Sequence, residues 1–146
     1  MVTKTVKSNV IKVENEQSDN SLPDQNLPLF YNKIELLSPS QHGSLSLMET
    51  GDMGFAAETD HVPLLANEFL DAQRHYPIVF SGGEKVSAFA LVGEIRGPNL
   101  YMDADGHWTK ESYIPAHVRR YPFIGVRFID TGEWSIGIDI DAPMVK

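Results

Sequence analysis

The sequence predicts a single α+β domain over residues 27–146, with a mostly antiparallel β-sheet, one main helix and one short helix, behind a disordered N-terminal tail. Three features carry this prediction: an apolar stripe at helical spacing, an alternation of apolar and polar residues near the end of the chain, and a sharp rise in apolar content after residue 26. The length of 146 residues fits one domain and allows a core to be buried.

The tail, residues 1–26, is rich in Ser, Asn, Gln, Asp and Glu. Its few apolar residues are too widely spaced to bury enough surface to offset the entropy lost on ordering. We therefore expect disorder in this segment. The domain is expected to begin at residues 27–31, where the run LPLFY raises the apolar content.

The main helix is predicted to start at Pro63, because proline suits the first helical turn, where its missing N–H costs nothing. The apolar residues that follow share one helical face, at spacings of four, three and four: Leu65, Phe69, Ala72 and Tyr76. Charged residues fall on other faces: Glu68, Asp71 and Arg74. The helix must end before Pro77, since the residue that precedes a proline avoids the α region.

Strand patterns dominate the rest of the chain. Short apolar runs predict strands at 78–80, 86–95 and 100–102, separated by turns at 81–84, 97–99 and 103–106. The run at 86–95 is long and apolar, which predicts a central strand covered on both faces. One or two further strands are predicted within 45–57.

The clearest strand lies at the end of the chain, where apolar residues alternate with polar or small ones. The apolar members are Trp134, Ile136, Ile138 and Ile140. This period of two predicts that these residues are buried and that Asp139 and Asp141 lie in solvent on the opposite face. The partner strand is predicted at 123–129, joined by a turn at 130–133.

A helix, a basic pair, a Tyr-Pro step and a strand occur in this order twice, around Tyr76-Pro77 and around Tyr121-Pro122. The basic residues are expected at helix C-termini, where cations oppose the negative end of the helix dipole. Two explanations stay open at this point. One is an old duplication, and the other is two independent uses of the same helix-to-strand connection.

Bulk properties exclude several classes of function. The formal net charge of −8 repels phosphate groups, so we expect no binding of nucleic acids or anionic membranes. The absence of cysteine excludes disulfides, thiolate metal sites and cysteine nucleophiles. The sequence shows no secretory signal peptide and no apolar stretch of membrane-spanning length, which predicts a cytoplasmic protein without membrane insertion. Association with the cell surface would require another route.

No complete catalytic motif is present. The sequence lacks HExxH and GxSxG, and the segment SGGEK at 81–85 lacks the spacing of a phosphate-binding loop. The sequence therefore favours a non-enzymatic protein without a cofactor or a bound metal.

The candidate binding residues lie around the two Tyr-Pro steps and an Asp-Gly turn: His75, Tyr76, Asp103, Asp105, His117, Arg119, Arg120 and Tyr121. The two aspartates suit calcium, but a calcium loop needs further ligands that are missing, so a tight turn is favoured. The arginines suit a carboxylate or phosphate, and the alternative is a helix cap with an internal ion pair. The tyrosines could line a groove, although buried rings with hydrogen-bonded hydroxyls are favoured. The histidines are expected to be structural or solvated.

Six blocks of the sequence stand out together: FAA at 55–57, VPL at 62–64, HYPIVF at 75–80, NLY at 99–101, DADGHW at 103–108 and YIPAHVRRYPF at 113–123. In this order they resemble the bacterial SapC family, which takes its name from a gene associated with a paracrystalline surface layer. The resemblance covers residues 28–141 and implies no catalytic residues. Members of this family usually continue into a helix-rich region, which implies that this chain is a short or truncated member.

Three hypotheses follow from the residues and the resemblance. The leading one is a non-enzymatic binding or accessory protein of the SapC type, with a protein partner and a link to surface-layer assembly. The second is an enzyme or enzyme subunit with a site built from His75, His117, Arg119 and Asp103. The third is a defective fragment. The sequence does not fix the oligomeric state.

Overall fold

The computed structural model describes residues 10–13 and 27–146, and contacts divide the chain into two compact units. The first unit combines the N-terminal part, up to Thr50, with Tyr121–Lys146, and the second is Gly51–Arg120. Both units contain short strands and short helices, and nearly all strand pairs are antiparallel. The predicted α+β class is therefore confirmed.

The elements follow one another as short segments. In chain order they are β1 (Val10–Val13), β2 (Ile34–Leu36), α1 (Pro39–His42), β3 (His61–Leu64), α2 (Phe69–Ala72), β4 (Ile78–Phe80), β5 (Ala88–Leu91), α3 (Ala116–Arg119), β6 (Phe123–Phe128) and β7 (Trp134–Asp139). The first unit holds a four-stranded sheet of spatial order β1, β6, β7, β2. The second holds a three-stranded sheet of order β3, β5, β4. None of the helices in the described part of the chain is long and apolar enough to cross a bilayer.

The predicted N-terminal tail, residues 1–26, lies outside the described residues apart from Val10–Val13. These four residues form β1 and pair in parallel with residues 125–128 of β6. The disorder predicted for the rest of the tail stays a prediction.

The hairpin predicted at the end of the chain is confirmed, because β6 and β7 pair antiparallel, with Arg127 opposite Trp134. The predicted faces of β7 are right at Ile138, which is buried, and wrong at three other positions. Trp134 and Ile136 are 60% and 53% exposed, whereas Asp139 is fully buried. A period of two shows which residues share a face, but it does not show which face meets the core.

Gly137 explains which face of β7 is buried. A Cβ atom at this position would lie 2.8 Å from Cγ2 of Ile34 and 3.1 Å from Cγ2 of both Ile124 and Val126. These three aliphatic side chains are buried and pack directly over the glycine backbone. The core of the first unit therefore packs against the Gly137 face of the strand, and Trp134 and Ile136 lie on the opposite face, of which only the end at Ile138 is buried.

Gly137→Ala is expected to destabilise the protein by about 1–3 kcal/mol, because a methyl group would overpack this core. Gly125→Ala in β6 is the matched control, since its Cβ would meet the Trp134 ring at 3.4 Å, an ordinary contact distance. Urea unfolding followed by circular dichroism measures both free energies of unfolding. A loss for Gly137→Ala no larger than the loss for Gly125→Ala would contradict this packing.

The central strand of the second unit is present but shorter than predicted. Of the run 86–95, only Ala88–Leu91 forms β5, and the flanking Val86 and Ile95 are largely exposed. The prediction of cover on both faces is wrong, since Ala90 is the one residue of β5 in the buried class. An antiparallel bridge between Gly93 and Asn99 turns the chain back just after the strand, which limits its length.

The main helix is also shorter than predicted. A 3₁₀ turn at Ala66–Glu68 runs directly into α2, which ends at Ala72. Pro63 was predicted in the first helical turn, but it lies in β3, at the edge of the sheet, where a strand can lack an N–H donor. The burial of Ala72 and Tyr76 agrees with the predicted apolar face, but Leu65 is 44% exposed, so the prediction is wrong at the start of that face, where the chain is not yet helical.

Two other predicted strands do not form. Residues 45–57 contain a single bridge, between Leu47 and Val145, and residues 100–102 contain one between Met102 and Trp108. The turn at 103–106 is confirmed, and Gly106 adopts a φ of +80°, which glycine tolerates without strain.

Candidate functional site

The eight predicted binding residues are divided between the two units. Tyr121 lies in the first unit, and the other seven lie in the second: His75, Tyr76, Asp103, Asp105, His117, Arg119 and Arg120. Each group is therefore described within its own unit.

Tyr76 is the centre of an aromatic cluster in the second unit. Its buried ring meets the Tyr101 ring edge-on, with 4.6 Å between centroids. Its hydroxyl donates a hydrogen bond to the Tyr113 carbonyl and accepts one from Trp108 Nε1 at 2.9 Å. The Tyr101 hydroxyl donates to the His75 carbonyl at 2.6 Å. These bonds tie the segment after α2 to residues 101–113.

This environment changes the acidity of the tyrosines. Burial raises the pKa of Tyr76 to about 12, against a partial opposing effect of the hydrogen bond from Trp108. Burial also raises the pKa of Tyr113, and its hydrogen bond to the Glu68 carboxylate adds to this effect. Both hydroxyls therefore stay neutral to a higher pH than the hydroxyl of a tyrosine in water.

We expect the free energy of unfolding to fall as the pH rises from about 10 to about 12. A buried tyrosine with a raised pKa stays neutral in the folded state but ionises in the unfolded state, so its contribution is complete below pH 10 and is lost as the pH approaches 12. For Tyr76 the expected loss is at most about 3 kcal/mol, because solvent screening reduces the effect of a partly buried group.

Urea unfolding at a series of alkaline pH values measures this loss. Tyr76→Phe is expected to be less stable at neutral pH, because it loses two hydrogen bonds, but to show a shallower decline at alkaline pH. An unchanged pH dependence in Tyr76→Phe would rule out this role of the tyrosine. Titration of the tyrosine absorbance with pH provides an independent measurement of the pH at which the tyrosines ionise.

Glu68 is a buried carboxylate that the sequence analysis placed away from the core. Its Oε2 accepts the Leu65 N–H at 2.8 Å. Its Oε1 accepts the Tyr113 hydroxyl at 2.9 Å and the Ala116 N–H at 2.7 Å. Ala116 is the first residue of α3, where the helix dipole favours a negative charge. Glu68 therefore holds the start of α3 against the 3₁₀ turn that precedes α2.

Arg119 lies exposed over Tyr113, with its guanidinium carbon 5.6 Å from the ring centroid. Its Nε donates to the Ile114 carbonyl at 2.9 Å, and its Nη2 donates to the Tyr113 hydroxyl at 3.2 Å. Arg120 places Nη2 3.1 Å from Nδ1 of the buried His117. These contacts join both arginines to the segment around α3, whereas the helix cap and internal ion pair of the structural alternative stay a prediction. Binding of an anion by the arginines stays a prediction.

The Asp-Gly turn brings together Asp103, Asp105 and His107, with ligand atoms that all lie within 4.8 Å of one another. Asp103 Oδ1 accepts the N–H of Asp105 at 3.0 Å and that of His107 at 2.8 Å. The bond from His107 is the main cause of the lowered pKa of Asp103. All three side chains are exposed, and they offer fewer ligands than the roughly six to eight oxygens that calcium takes. The carboxylate of Asp103 thus closes the predicted tight turn.

Asp139 is the buried polar centre of the first unit. Its Oδ1 accepts the N–H of Lys33 at 2.9 Å and that of Asp141 at 3.2 Å. Its Oδ2 accepts the N–H of Asn32 at 2.7 Å and the hydroxyl of Tyr121 at 3.1 Å. The sequence analysis placed this carboxylate in solvent, which is wrong, because these donors replace water and make its burial tolerable.

Tyr121 packs beside this carboxylate. Its buried ring meets Tyr31 edge-on, with centroids 5.2 Å apart, and Tyr31 donates to the Phe123 carbonyl at 2.5 Å. Burial raises the pKa of Tyr121, and the charge of Asp139 raises it further. The tyrosine of each Tyr-Pro step thus has a buried ring and an engaged hydroxyl, in agreement with the structural alternative.

His42 forms a second polar contact in the first unit. Its Nδ1 accepts the Ser38 N–H at 3.0 Å, and its Nε2 lies 3.1 Å from Oε2 of Glu35. With Nδ1 as the acceptor, the proton of the neutral ring lies on Nε2 and points to the carboxylate. This buried histidine closes α1, which fits the structural role expected for the histidines.

The enzymatic alternative used four residues of the second unit: His75, His117, Arg119 and Asp103. Their described contacts join them to different neighbours, since Arg119 meets Tyr113 and Asp103 meets His107. These contacts give structural roles to Arg119 and Asp103, and a catalytic site built from the four residues stays a prediction.

The outward face of β7 carries an apolar strip that we define as Trp134, Ile136 and Leu37. All three side chains are exposed, and the Leu37 N–H donates to the Ile136 carbonyl at 2.8 Å, which places Leu37 beside β7. The Arg127 guanidinium lies 6.0 Å from the Trp134 ring. Sequence analysis missed this surface because it assigned the apolar residues of β7 to the core.

The fold and contacts define a small α+β protein in which buried polar side chains satisfy the backbone and one another. The family model for SapC matches residues 37–146, which is most of the chain. The chain therefore belongs to the SapC family. Neither the comparison with curated proteins nor the comparison with solved structures found a match.

Proposed function

We propose that this SapC-family protein is a non-enzymatic binding protein that takes a protein partner and is linked to surface-layer assembly. The observation that carries this proposal is the apolar strip, Trp134, Ile136 and Leu37, on the outward face of the sheet in the first unit. The link to surface layers is supported by family membership and by the origin of the family name.

The composition of the apolar strip suits a protein interface. Tryptophan and arginine are among the residues that contribute most to binding when they are buried against a partner. Here Trp134 is 60% exposed, and Arg127 lies against its ring. Contact with a partner would remove the apolar surface of Trp134 and Ile136 from water without any rearrangement of the core.

The buried carboxylates support a binding protein over an enzyme. Asp139 accepts hydrogen bonds from three backbone N–H groups and a tyrosine hydroxyl. Glu68 accepts two from backbone N–H groups and one from another tyrosine. Because these oxygens are engaged in holding the fold, they are poorly placed to exchange protons with a substrate.

Replacing both Trp134→Ala and Ile136→Ser is expected to reduce capture of the partner about 30-fold, the effect of losing one strong interface residue. The tagged protein is used to capture partners from a lysate of the source organism, and mass spectrometry quantifies them. Circular dichroism should stay unchanged, because both side chains lie outside the core.

Ile95→Ser is the matched control, since this apolar side chain is 86% exposed in the second unit. Equal loss of capture in the control would exclude a specific role of the apolar strip. Capture of a surface-layer protein would support the link to the surface layer, and a different stoichiometric partner would support binding alone. The absence of any partner would contradict the proposed function.

A further inference from the structure

The three-stranded sheet of the second unit has two edges, β3 and β4, on either side of β5. The edge at β3 is blocked. The Val92 N–H donates to the Asp60 carbonyl, so alternation turns the main-chain groups of Val62 towards β5 and those of Pro63 outward. A proline in this position offers no N–H to another strand, which is one way in which proteins prevent edge pairing.

The edge at β4 is open. The Pro77 carbonyl accepts the Leu91 N–H, so alternation turns the main-chain groups of Val79 towards β5 and those of Ile78 and Phe80 outward. Among the described residues, none outside the sheet forms a hydrogen bond with the main chain of Ile78 or Phe80. Each of these two residues therefore presents an N–H and a carbonyl that a further strand could use.

The side chains of β4 also suit the addition of a strand. The strand reads Ile-Val-Phe, with neither a charge nor a proline to discourage pairing. Val79 is exposed on one face, and Phe80 is 60% exposed on the other, where its ring meets Phe69 edge-on with centroids 6.0 Å apart. Leu70 and Val86, which lie on the segments that flank β4, are largely exposed as well. Contact with another strand would remove this apolar surface from water.

We propose that β4 is the interface of a homodimer, in which the β4 strands of two copies pair antiparallel about a twofold axis at Val79. The two three-stranded sheets then form one continuous sheet. Main-chain hydrogen bonds to an open edge supply affinity, and the side chains at the edge supply specificity. This interface does not involve the apolar strip, which belongs to the first unit, so it stands independently of the proposed function.

The strand is complementary to itself in this register. Ile78 of one copy stands opposite Phe80 of the second copy, and the two residues exchange N–H and carbonyl groups in both directions. The reciprocal pair does the same on the other side of the axis, so every outward main-chain group of β4 has a partner. Val79 meets Val79 of the second copy. Pairs of β-branched residues with aromatic or β-branched residues are favourable across strands.

The local charge supports a second copy as the occupant of this edge. The whole chain carries a net charge of −8, but residues 69–91 contain two acidic and two basic residues and are neutral. Antiparallel pairing brings the turn with Glu84 and Lys85 of one copy towards the segment with Arg74 that precedes β4 of the second copy. Both signs are present, so the overall negative charge does not oppose association here, and no strongly charged partner is favoured.

Sedimentation velocity of the full chain tests the dimer. The mass is expected to rise reversibly from that of a monomer to that of a dimer between about 1 and about 500 μM, because a short edge forms a small interface. Growth should stop at two copies, since the twofold pairing uses both β4 edges and Pro63 blocks the edges that remain. A monomer over the whole range would overturn the proposal and leave the edge to a strand of a different protein. Growth beyond the dimer would overturn it as well.

Charge at the twofold axis tests the register. Val79→Lys and Val79→Glu are each expected to weaken the dimer at least about tenfold, because like charges then meet at the axis. An equimolar mixture of the two variants is expected to form a heterodimer at least about tenfold more tightly than either variant pairs with itself. A mixture that associates no better than the separate variants would overturn the proposal, as would a Val79→Lys chain that dimerises like the wild type.

Two control variants show whether the effect is specific to the edge. Ile95→Lys introduces the same charge at another exposed apolar position of the second unit, and Trp134→Ala alters the apolar strip. Both are expected to dimerise like the wild type. Equal loss of the dimer in either control would place the interface elsewhere and overturn the proposal.

Amide hydrogen exchange of the wild-type chain, resolved by nuclear magnetic resonance, tests the interface without any substitution. Exchange of the outward Ile78 and Phe80 N–H groups is expected to slow about threefold to tenfold as the concentration rises through the dimerisation range. The Val79 N–H faces β5 in the monomer already, so its exchange should change least. The same concentration dependence at all three amides, or none at any of them, would overturn the proposed pairing.

Discussion

Asp139→Ala is expected to lower the free energy of unfolding by about 3–5 kcal/mol, the largest effect of any single change considered in the first unit. The substitution removes the shared acceptor of the Asn32, Lys33 and Asp141 N–H groups and of the Tyr121 hydroxyl. A donor left without a partner in a buried site loses its hydration and gains nothing in return. The cavity left by the side chain adds to the loss.

Asp141→Ala is the matched control for this prediction. The two aspartates lie two residues apart, but Asp141 is exposed and its side chain is not needed as an acceptor in the described contacts. The control is expected to stay within about 0.5 kcal/mol of the wild type. The loss of stability in Asp139→Asn should fall between the losses in Asp139→Ala and Asp141→Ala. One carboxamide oxygen still accepts hydrogen bonds, whereas the NH₂ group faces N–H donors.

Urea unfolding at neutral pH measures all three variants. Typical domains have a total stability of about 5–15 kcal/mol, so the predicted loss would leave Asp139→Ala partly unfolded or close to it. A change below about 1 kcal/mol would show that the buried carboxylate does not organise the first unit. The near-ultraviolet circular dichroism of Tyr31 and Tyr121 should be lost together with stability, because the two rings pack on each other beside the Asp139 carboxylate.

Glu68→Ala is expected to cost about 3 kcal/mol in the second unit, because it leaves the Leu65 and Ala116 N–H groups and the Tyr113 hydroxyl without their acceptor. Two of these donors lie far along the chain from Glu68, so the substitution also releases the start of α3. Amide exchange at Ala116 is therefore expected to accelerate more than exchange in β5, which lies in the sheet.

Asp71→Ala tests whether this loss is specific. Asp71 is an exposed acidic residue of α2, so its removal changes the charge by the same amount without uncoupling buried donors. We expect a change within about 0.5 kcal/mol. Glu68→Gln keeps the size and one acceptor oxygen and should recover part of the loss. If Asp71→Ala and Glu68→Ala were equally destabilising, net charge and not the hydrogen bonds would be the cause.

The family could be recognised from sequence blocks such as HYPIVF and YIPAHVRRYPF, and the match over residues 37–146 confirmed it. Local chemistry also predicted the terminal hairpin, the central position of β5 and the turn at 103–106. These features depend on neighbours in the chain, because alternation defines a strand and Asp-Gly favours a tight turn. The buried tyrosines of the Tyr-Pro steps were predicted for the same reason.

Only the tertiary structure decided which polar residues are buried and which face of β7 meets the core. Asp139 is buried because donors 107 and 106 residues away satisfy its carboxylate, and Glu68 because donors 45 and 48 residues away do so. A local pattern cannot reveal such partners. Likewise, alternation along β7 is compatible with either face being inside, and the missing side chain of Gly137 resolves the choice by letting Ile34 and Val126 pack over its backbone.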